Sequence, residues 1–268
     1  MPIPITGSLY GIGVGPGDPE LITLKALKRL QSSPVVAFPK GIQGKPGIAE
    51  SIITPWLTDQ QIRLPLTFPY VVDEQILSAA WQQAAEMVWA YLQTGDVVFA
   101  CEGDVSFYGT FTYLAKSLQQ QHSGVKIEVI AGVSSPMAAA AALGIPLTCQ
   151  DQRLAILPAL YSFNGIPASS TPASSIPASS TNELEAALGW ADVIVLMKVS
   201  RVYRQVWKIL AHYQLLDYSY VVANATQPHQ VIYSNLQAHP DLKLPYFSLL
   251  IVGTKANDSS LNLKHHST

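Results

Sequence analysis

The sequence predicts an α/β protein with a largely parallel sheet, and two observations lead there. Short apolar runs bounded by glycine or proline alternate along the chain with longer segments of helical length, the grammar of strand, crossover helix and strand. Three of the loops that leave those runs are crowded with glycine, serine or carboxylates, and loops at strand ends are where open α/β sheets take ligands.

Taken in order, Leu9 to Val14 is a short apolar run that ends among glycines. Asp18 then offers an N-cap and Pro19 suits a first helical position, so Glu20 to Leu30, with Leu21, Leu24 and Leu27 spaced for one face, is expected to be helical. Val35 to Phe38 and Ile62 to Leu66 read as buried strands, and Glu74 to Gln93 is long enough to be only a helix. Val97 to Ala100 is expected as a strand, Phe107 to Gln121 as a helix and Lys126 to Ile130 as a strand. Beyond Ala131 the pattern changes only slightly. Pro136 to Leu143 and Val202 to His212 read as helices, and Leu154 to Leu157, Val193 to Met197, Tyr220 to Ala223, Val231 to Tyr233 and Phe247 to Val252 as strands. A boundary placed near Gly132 gives an N-terminal α/β domain over residues 1–131 and a C-terminal α/β domain over residues 132–268.

Composition bounds the function. With 49% hydrophobic and 13% charged residues in a chain of 268, there is enough apolar surface to offset the entropy of ordering. Sixteen Lys and Arg against eighteen Asp and Glu leave a net charge of -2, so nucleic acid and anionic membranes are not the expected partners. Cys101 and Cys149 are too few for a disulfide framework and lack the paired spacing of a zinc site; both are expected to be buried small residues, and no metal is expected. Met1 to Tyr10 has no basic stretch followed by an unbroken apolar one, and Pro136 to Leu147 is too short for a membrane span, which needs about 20 residues. The expectation is a soluble, cytoplasmic protein.

One segment is repetitive: Ile166, Thr171 and Ile176 each begin a Pro-Ala-Ser-Ser unit. Recurrent proline and serine deny helix and ladder bonding, so residues from about 162 to 181 are expected to form a low-complexity surface insertion. The tail from Lys255 to Thr268 is polar, and His265-His266 reads as part of that tail rather than as a metal site.

The first chemical loop, Gly11-Ile-Gly-Val-Gly-Pro-Gly-Asp18, lies between a strand and a helix. It fits no G-x-G-x-x-G register, because Pro16 or Asp18 falls where the last glycine belongs, and Gly41 to Lys45 fails as a phosphate loop for want of its first glycine and its hydroxyl. The second, Cys101-Glu-Gly-Asp-Val-Ser-Phe-Tyr108, leaves a strand with two carboxylates; Asp104 could equally cap a helix starting near Ser106. The third, Ala131-Gly-Val-Ser-Ser-Pro136, leaves room for a ligand and also offers Ser134 or Ser135 as a cap.

Together these loops resemble the tetrapyrrole methylase family. Gly13-Val-Gly-Pro-Gly-Asp-Pro-Glu-Leu-Ile-Thr-Leu-Lys-Ala26 is similar to its glycine-rich opening, Cys101-Glu-Gly-Asp-Val-Ser-Phe-Tyr-Gly-Thr-Phe111 to its acidic motif, and Gly132-Val-Ser-Ser-Pro-Met137 to its third turn. Order and spacing agree over nearly the whole chain except at the insertion and the tail, and the combination is most similar to the family's precorrin-2 C(20)-methyltransferases or their cobalt-factor II counterparts. The resemblance implies a two-domain fold, the class III methyltransferase architecture, that encloses folded S-adenosylmethionine between its domains and usually forms a homodimer. Carried over motif by motif, it implies cofactor contacts from Pro16, Glu102, Gly103, Asp104, Phe107, Ser134 and Ser135, then from Met197 and Ala225. The chain departs from the pattern at Val105, where many members have proline, and at Asn224-Ala-Thr226, where a β-carbon narrows the approach.

The implied chemistry is displacement of a sulfonium methyl by an electron-rich macrocycle carbon, leaving S-adenosylhomocysteine. It calls for in-line orientation and exclusion of water rather than a metal or covalent nucleophile. Asp18, Glu102 and Asp104 are the candidates for a base that takes a proton from the macrocycle. A polycarboxylate tetrapyrrole calls for cationic anchors, and Lys40, Arg153, Lys198 and Arg201 stand near expected strand ends. Other readings keep the fold with a different tetrapyrrole or an RNA substrate, or keep cofactor binding without turnover as an assembly subunit.

Overall fold

The computed structural model describes residues 7–41, 45–69, 71, 73–159 and 183–253; the Pro-Ala-Ser-Ser repeats and the polar tail lie outside the described residues. The chain divides into two compact units, Met1–Ser135 and Pro136–Thr268.

In the first unit, β1 (Ser8–Gly13), β2 (Val35–Pro39), β3 (Ile62–Leu66), β4 (Val97–Cys101) and β5 (Lys126–Ile130) form one sheet in the order β3-β2-β4-β1-β5. Every pairing is parallel. A parallel sheet must be covered on both faces, and alternate residues of each strand serve the two layers. Leu9, Val97, Phe99 and Cys101 pack with α3 (Glu74–Leu92) and α4 (Phe111–Gln121), while Tyr10, Ile12, Val98 and Ala100 pack with α1 (Leu24–Ser32) and α2 (Ile48–Ile53).

Two helix starts differ from the sequence expectation. Asp18 does cap a turn, accepting the Glu20 N–H at 2.9 Å, but the turn is a single 3₁₀ stretch, Pro19–Leu21. The backbone then extends through Ile22 and Thr23, and α1 begins afresh with the Thr23 hydroxyl oxygen accepting the Ala26 N–H. Likewise α4 starts at Phe111 rather than Phe107, because Tyr108 takes a left-handed φ of 52° that no helix accommodates. Asp104 therefore caps no helix near Ser106; its carboxylate closes a local turn on the Ser106 N–H at 2.8 Å.

The second unit has its own sheet, ordered β6-β7-β10-β8-β9 from β6 (Leu154–Pro158), β7 (Val193–Met197), β8 (Ser219–Ala223), β9 (Val231–Tyr233) and β10 (Ser248–Val252). Only β6 and β7 are parallel; β10 runs antiparallel to β7 and β8, and β8 antiparallel to β9. Here the expectation of a largely parallel sheet fails. A parallel pair needs a crossover, usually helical, and from β8 to β10 only short connections and one 3₁₀ turn intervene. One face is covered by α6 (Glu183–Leu188) and α7 (Tyr203–His212), the other by the alanine-rich α5 (Ser135–Leu143), whose small side chains let it lie close on Val193, Val195, Val222 and Ile251. Cys101 is buried as expected, but Cys149 is only half-buried, because it sits in a surface turn closed by the Gln152 side chain.

Candidate active site

The three chemical loops leave neighbouring strands. In the order β4-β1-β5, Gly13 stands opposite Cys101 and Ile12 opposite Ile130, so the loops begin at one level along the carboxyl edge of the first sheet. That is the edge where open α/β sheets bind ligands.

Backbone contact welds the loops together. Gly15 and Gly103 exchange two hydrogen bonds, Gly103 N–H to Gly15 O at 2.8 Å and Gly15 N–H to Gly103 O at 3.2 Å, and the Val14 N–H donates to Cys101 O at 2.9 Å. Gly13 and Gly132 meet so closely that a β-carbon on Gly132 would lie 2.4 Å from Gly103 O and 2.6 Å from the Gly13 Cα. Glycine is required there by approach, not by dihedral angle. The third loop is tied from both sides: the Gly132 N–H donates to Asp104 Oδ2 at 2.7 Å, and the Thr23 hydroxyl donates to Ala131 O at 3.3 Å.

Three candidate carboxylates therefore have different situations. Asp18 caps the turn after the first loop. Asp104 accepts from Ser106 and Gly132; desolvation opposes its ionisation, but these hydrogen bonds prevail and hold it below the ordinary carboxylate range. Glu102 is the reverse case, half-buried at the end of β4 and pushed up to about 8 by desolvation. The adjacent Cys101 thiol is pushed up to about 11 by burial, with the Glu102 and Asp104 charges adding to it and backbone hydrogen bonds opposing.

Of the other residues singled out by sequence, Pro16 and Gly103 are buried and Phe107, Ser134 and Ser135 are half-buried, all within the first unit's three loops. In the second unit Met197 and Ala225 come together in one apolar cluster beside Ala139, Val222 and Leu249. Ala225 lies between Asn224 and Thr226, both left-handed, at φ 52° and 63°. Lys198 follows Met197 at the carboxyl end of β7, also left-handed, and burial lowers the pKa of its ammonium. Arg201 is exposed in the next turn and Lys40 is exposed beyond β2. Arg153 is not brought beside Lys198: it precedes β6 at the opposite strand end, where its Nε donates to Asp192 Oδ2 at 3.0 Å. The sequence motifs assign no role to Gly13 and Gly132, which the structure shows in close backbone approach; the signal for them is the run of small residues after each strand.

Among the described residues no helix is long and apolar enough to cross a membrane, and no group of three or more His, Cys, Asp or Glu could hold a metal ion.

Two α/β units, one with a parallel and one with a largely antiparallel sheet, the first carrying glycine-welded loops at its carboxyl edge, define the class of the protein by fold and loop cluster together. The chain belongs to the tetrapyrrole (corrin/porphyrin) methylases, whose family profile matches residues 8–239. It is 40% identical over 150 residues to a probable cobalt-precorrin-2 C(20)-methyltransferase of Methanocaldococcus jannaschii, a match covering 56% of this chain and 63% of that one. It is 30% identical over 250 residues to the cobalt-precorrin-2 C(20)-methyltransferase of Salmonella typhimurium, covering 92% and 97%. With a precorrin-2 C(20)-methyltransferase of a Sinorhizobium species it shares 30% over 256 residues, covering 92% and 95%. The chain thus spans less than two thirds of the archaeal relative, and 46% of the mycobacterial cobalamin biosynthesis protein CobIJ. The fold matches that of the cobalt precorrin-4 methyltransferase CbiF at a TM-score of 0.65 and 23% identity, covering 92% of this chain and 94% of that one. It also matches a Thermus thermophilus uroporphyrin-III C-methyltransferase complexed with S-adenosyl homocysteine, at 0.60 and 19%, covering 92% and 97%.

Proposed function

We propose that this chain is an S-adenosylmethionine-dependent C-methyltransferase that methylates carbon 20 of precorrin-2, giving precorrin-3A and S-adenosylhomocysteine in cobalamin biosynthesis. It would work in the cytoplasm as a homodimer, without nucleic acid, membrane or metal. The observation that carries the reading is the three-loop floor at the β4-β1-β5 edge, in a chain aligned over nearly its whole length with relatives named for this carbon.

The residues present suit the cofactor. The floor offers backbone N–H and C=O groups, small side chains and carboxyls, with no Lys or Arg in the three loops; that donor set suits a cationic sulfonium and ammonium and disfavours a polyphosphate. Pro16, Glu102, Gly103, Asp104, Phe107, Ser134 and Ser135 would hold it from the first unit, and Met197 and Ala225 from the apolar cluster of the second. Bound there, S-adenosylmethionine supplies an activated methyl group. The protein's part is to orient that methyl toward the macrocycle, exclude water and receive a proton. Lys40, Lys198 and Arg201 are the cations offered to the substrate's carboxylates; Arg153 would first have to leave Asp192.

Relatives named for the cobalt-bearing and the metal-free substrate are equally similar over nearly the whole chain, so the cobalt form stands as the second reading. An anaerobic assay with S-adenosylmethionine and each substrate in turn, reading product mass and locating the new methyl by NMR, tests both. One methyl at carbon 20 is expected; binding of the cofactor with transfer to neither substrate would overturn the substrate assignment.

A further inference from the structure

Asn224 is a polar residue that the fold buries and leaves unused. It directly follows β8 at the edge of the second sheet that carries Met197. Leu249 of β10 stands opposite Met197 on one side and Val222 on the other, so β7 and β8 run in one direction and end at one level. Asn224 is only 8% exposed. Its backbone is fixed on both sides, the N–H donating to Phe247 O at 2.6 Å and the carbonyl accepting the Gln227 N–H at 3.0 Å. Its side chain is not: among the described residues no hydrogen bond reaches the Asn224 carboxamide.

The left-handed φ of 52° does not account for the residue type. Asparagine suits that conformation because its short side chain can bond the neighbouring backbone, which it does not do here, and glycine would fit with no amide to desolvate. A buried amide without a partner costs free energy, so in a native fold it calls for a reason. Nor is the group sealed into the core. Ser33 Oγ is the one fully enclosed side-chain polar atom without a partner among the described residues, so the Asn224 amide opens onto accessible space. A buried residue whose polar tip stays accessible lines a recess.

The surroundings of that tip are apolar: Val222 and Ala225, on either side of it in sequence, belong to the cluster with Met197, Leu249 and Ala139. A carboxamide sets a carbonyl acceptor beside an amino donor and carries no charge. Its complement is a flat, neutral edge with donor next to acceptor, which the 6-amino group and adjacent ring nitrogen of adenine provide and which asparagine reads by a two-point contact. A carboxylate or phosphate would satisfy the amino half alone and strand the carbonyl oxygen.

Resting on the cofactor reading above, we propose that the Asn224 carboxamide reads the adenine of S-adenosylmethionine, its Oδ1 accepting from the 6-amino group and its Nδ2 donating to the neighbouring ring nitrogen. It sets which nucleoside the site accepts and moves neither proton nor methyl group.

Calorimetric titration with S-adenosylhomocysteine and with its analogue lacking the 6-amino group tests this. The unmodified protein is expected to bind the adenine form roughly 10- to 100-fold more tightly. Asn224→Gly keeps the left-handed turn and removes the carboxamide. It is expected to weaken S-adenosylhomocysteine by a similar factor and to bring the ratio between the two ligands below about threefold, with no fall in melting temperature. At saturating cofactor its kcat is expected to change less than about threefold. Asn224→Asp, which keeps the size and an acceptor but loses the donor, is expected to weaken both ligands about tenfold and carries the test should the glycine variant not fold. A ligand ratio near one in the unmodified protein, a ratio that survives Asn224→Gly, or binding untouched by Asn224→Asp overturns the proposal and leaves the cofactor reading standing. Failure of the unmodified protein to bind either ligand overturns the cofactor reading and the proposal with it.

Discussion

The two sheets have five strands each and bury their central strands completely, yet they present their candidate cofactor residues in opposite ways. At the carboxyl edge of the first sheet the site is made of backbone: Gly13, Gly15, Gly103 and Gly132 touch one another, and Asp104 latches the second loop to the third. In the second unit the candidates are side chains, Met197 and Ala225 lying in an apolar cluster against an alanine-rich helix. Backbone in contact with backbone has no freedom to adapt, whereas methionine is unbranched and fills irregular space readily. The first region should therefore fail abruptly under substitution and the second gradually.

The sharpest test is Gly132→Ala. Its β-carbon would sit 2.4 Å from Gly103 O, a clash that only loop separation can relieve, and such overpacking costs about 3 kcal/mol or more. Loss of S-adenosylmethionine binding by at least about 100-fold is expected in a direct titration, with a lowered melting temperature. Gly95→Ala is the control, since its β-carbon would meet only Pro34 Cγ at 3.4 Å and should leave both readouts unchanged. If Gly132→Ala binds normally, the three loops are not the cradle.

Next in size is Asp104→Ala, which leaves the Gly132 N–H without its carboxylate and should cost about 2 kcal/mol at pH 7 in chemical denaturation. The pH dependence has a definite sign. Because the folded pKa lies below the ordinary one, the stabilisation is complete above the unfolded carboxylate pKa and is lost as pH falls through the folded value. The gap between wild type and Asp104→Ala should be constant from pH 6 to 8 and shrink in the acid range. A gap unchanged in acid would mean that the ionised carboxylate is not what latches the loops.

This contrast also accounts for what the sequence disclosed. Strands β1, β2 and β4 were legible because each is an apolar run with glycine or proline close by, and the three loops because glycine, serine and carboxylate types stand out at strand ends. The break at Ile22 and Thr23 was hidden, since a second cap inside an amphipathic stretch reads as ordinary helix polarity. Strand direction in the second unit was hidden too: an apolar run of five residues looks the same whichever way its neighbour points. So were the separate situations of Glu102 and Asp104, two residues apart and chemically alike, because the burial of one and the bond from the distant Gly132 N–H to the other are set by the fold.

In the second unit Met197→Ala should act gradually. Removing a half-buried side chain from the cluster is expected to cost about 1–2 kcal/mol, and Met197→Leu, which conserves volume, under about 1.5 kcal/mol. A packing role beside the cofactor adds a separate readout, a rise in the S-adenosylmethionine dissociation constant for the alanine variant that leucine restores. Weakened stability with unchanged affinity would assign Met197 to the core alone.

The smallest effect is expected from Arg153→Ala, and it asks whether the second unit's cations are structural or functional. The guanidinium is exposed and paired with Asp192 at the amino ends of β6 and β7; exposed pairs of this kind contribute little to stability, so no resolvable change in melting temperature is expected. The pair also occupies Arg153 at the strand end opposite Lys198, which leaves it poorly placed to share a substrate carboxylate with that residue. The KM for the tetrapyrrole should therefore stay unchanged in Arg153→Ala and rise in Lys198→Ala. If instead Arg153→Ala raises KM as much as Lys198→Ala does, the arginine leaves Asp192 when substrate arrives, and its ion pair is a resting position rather than its working one.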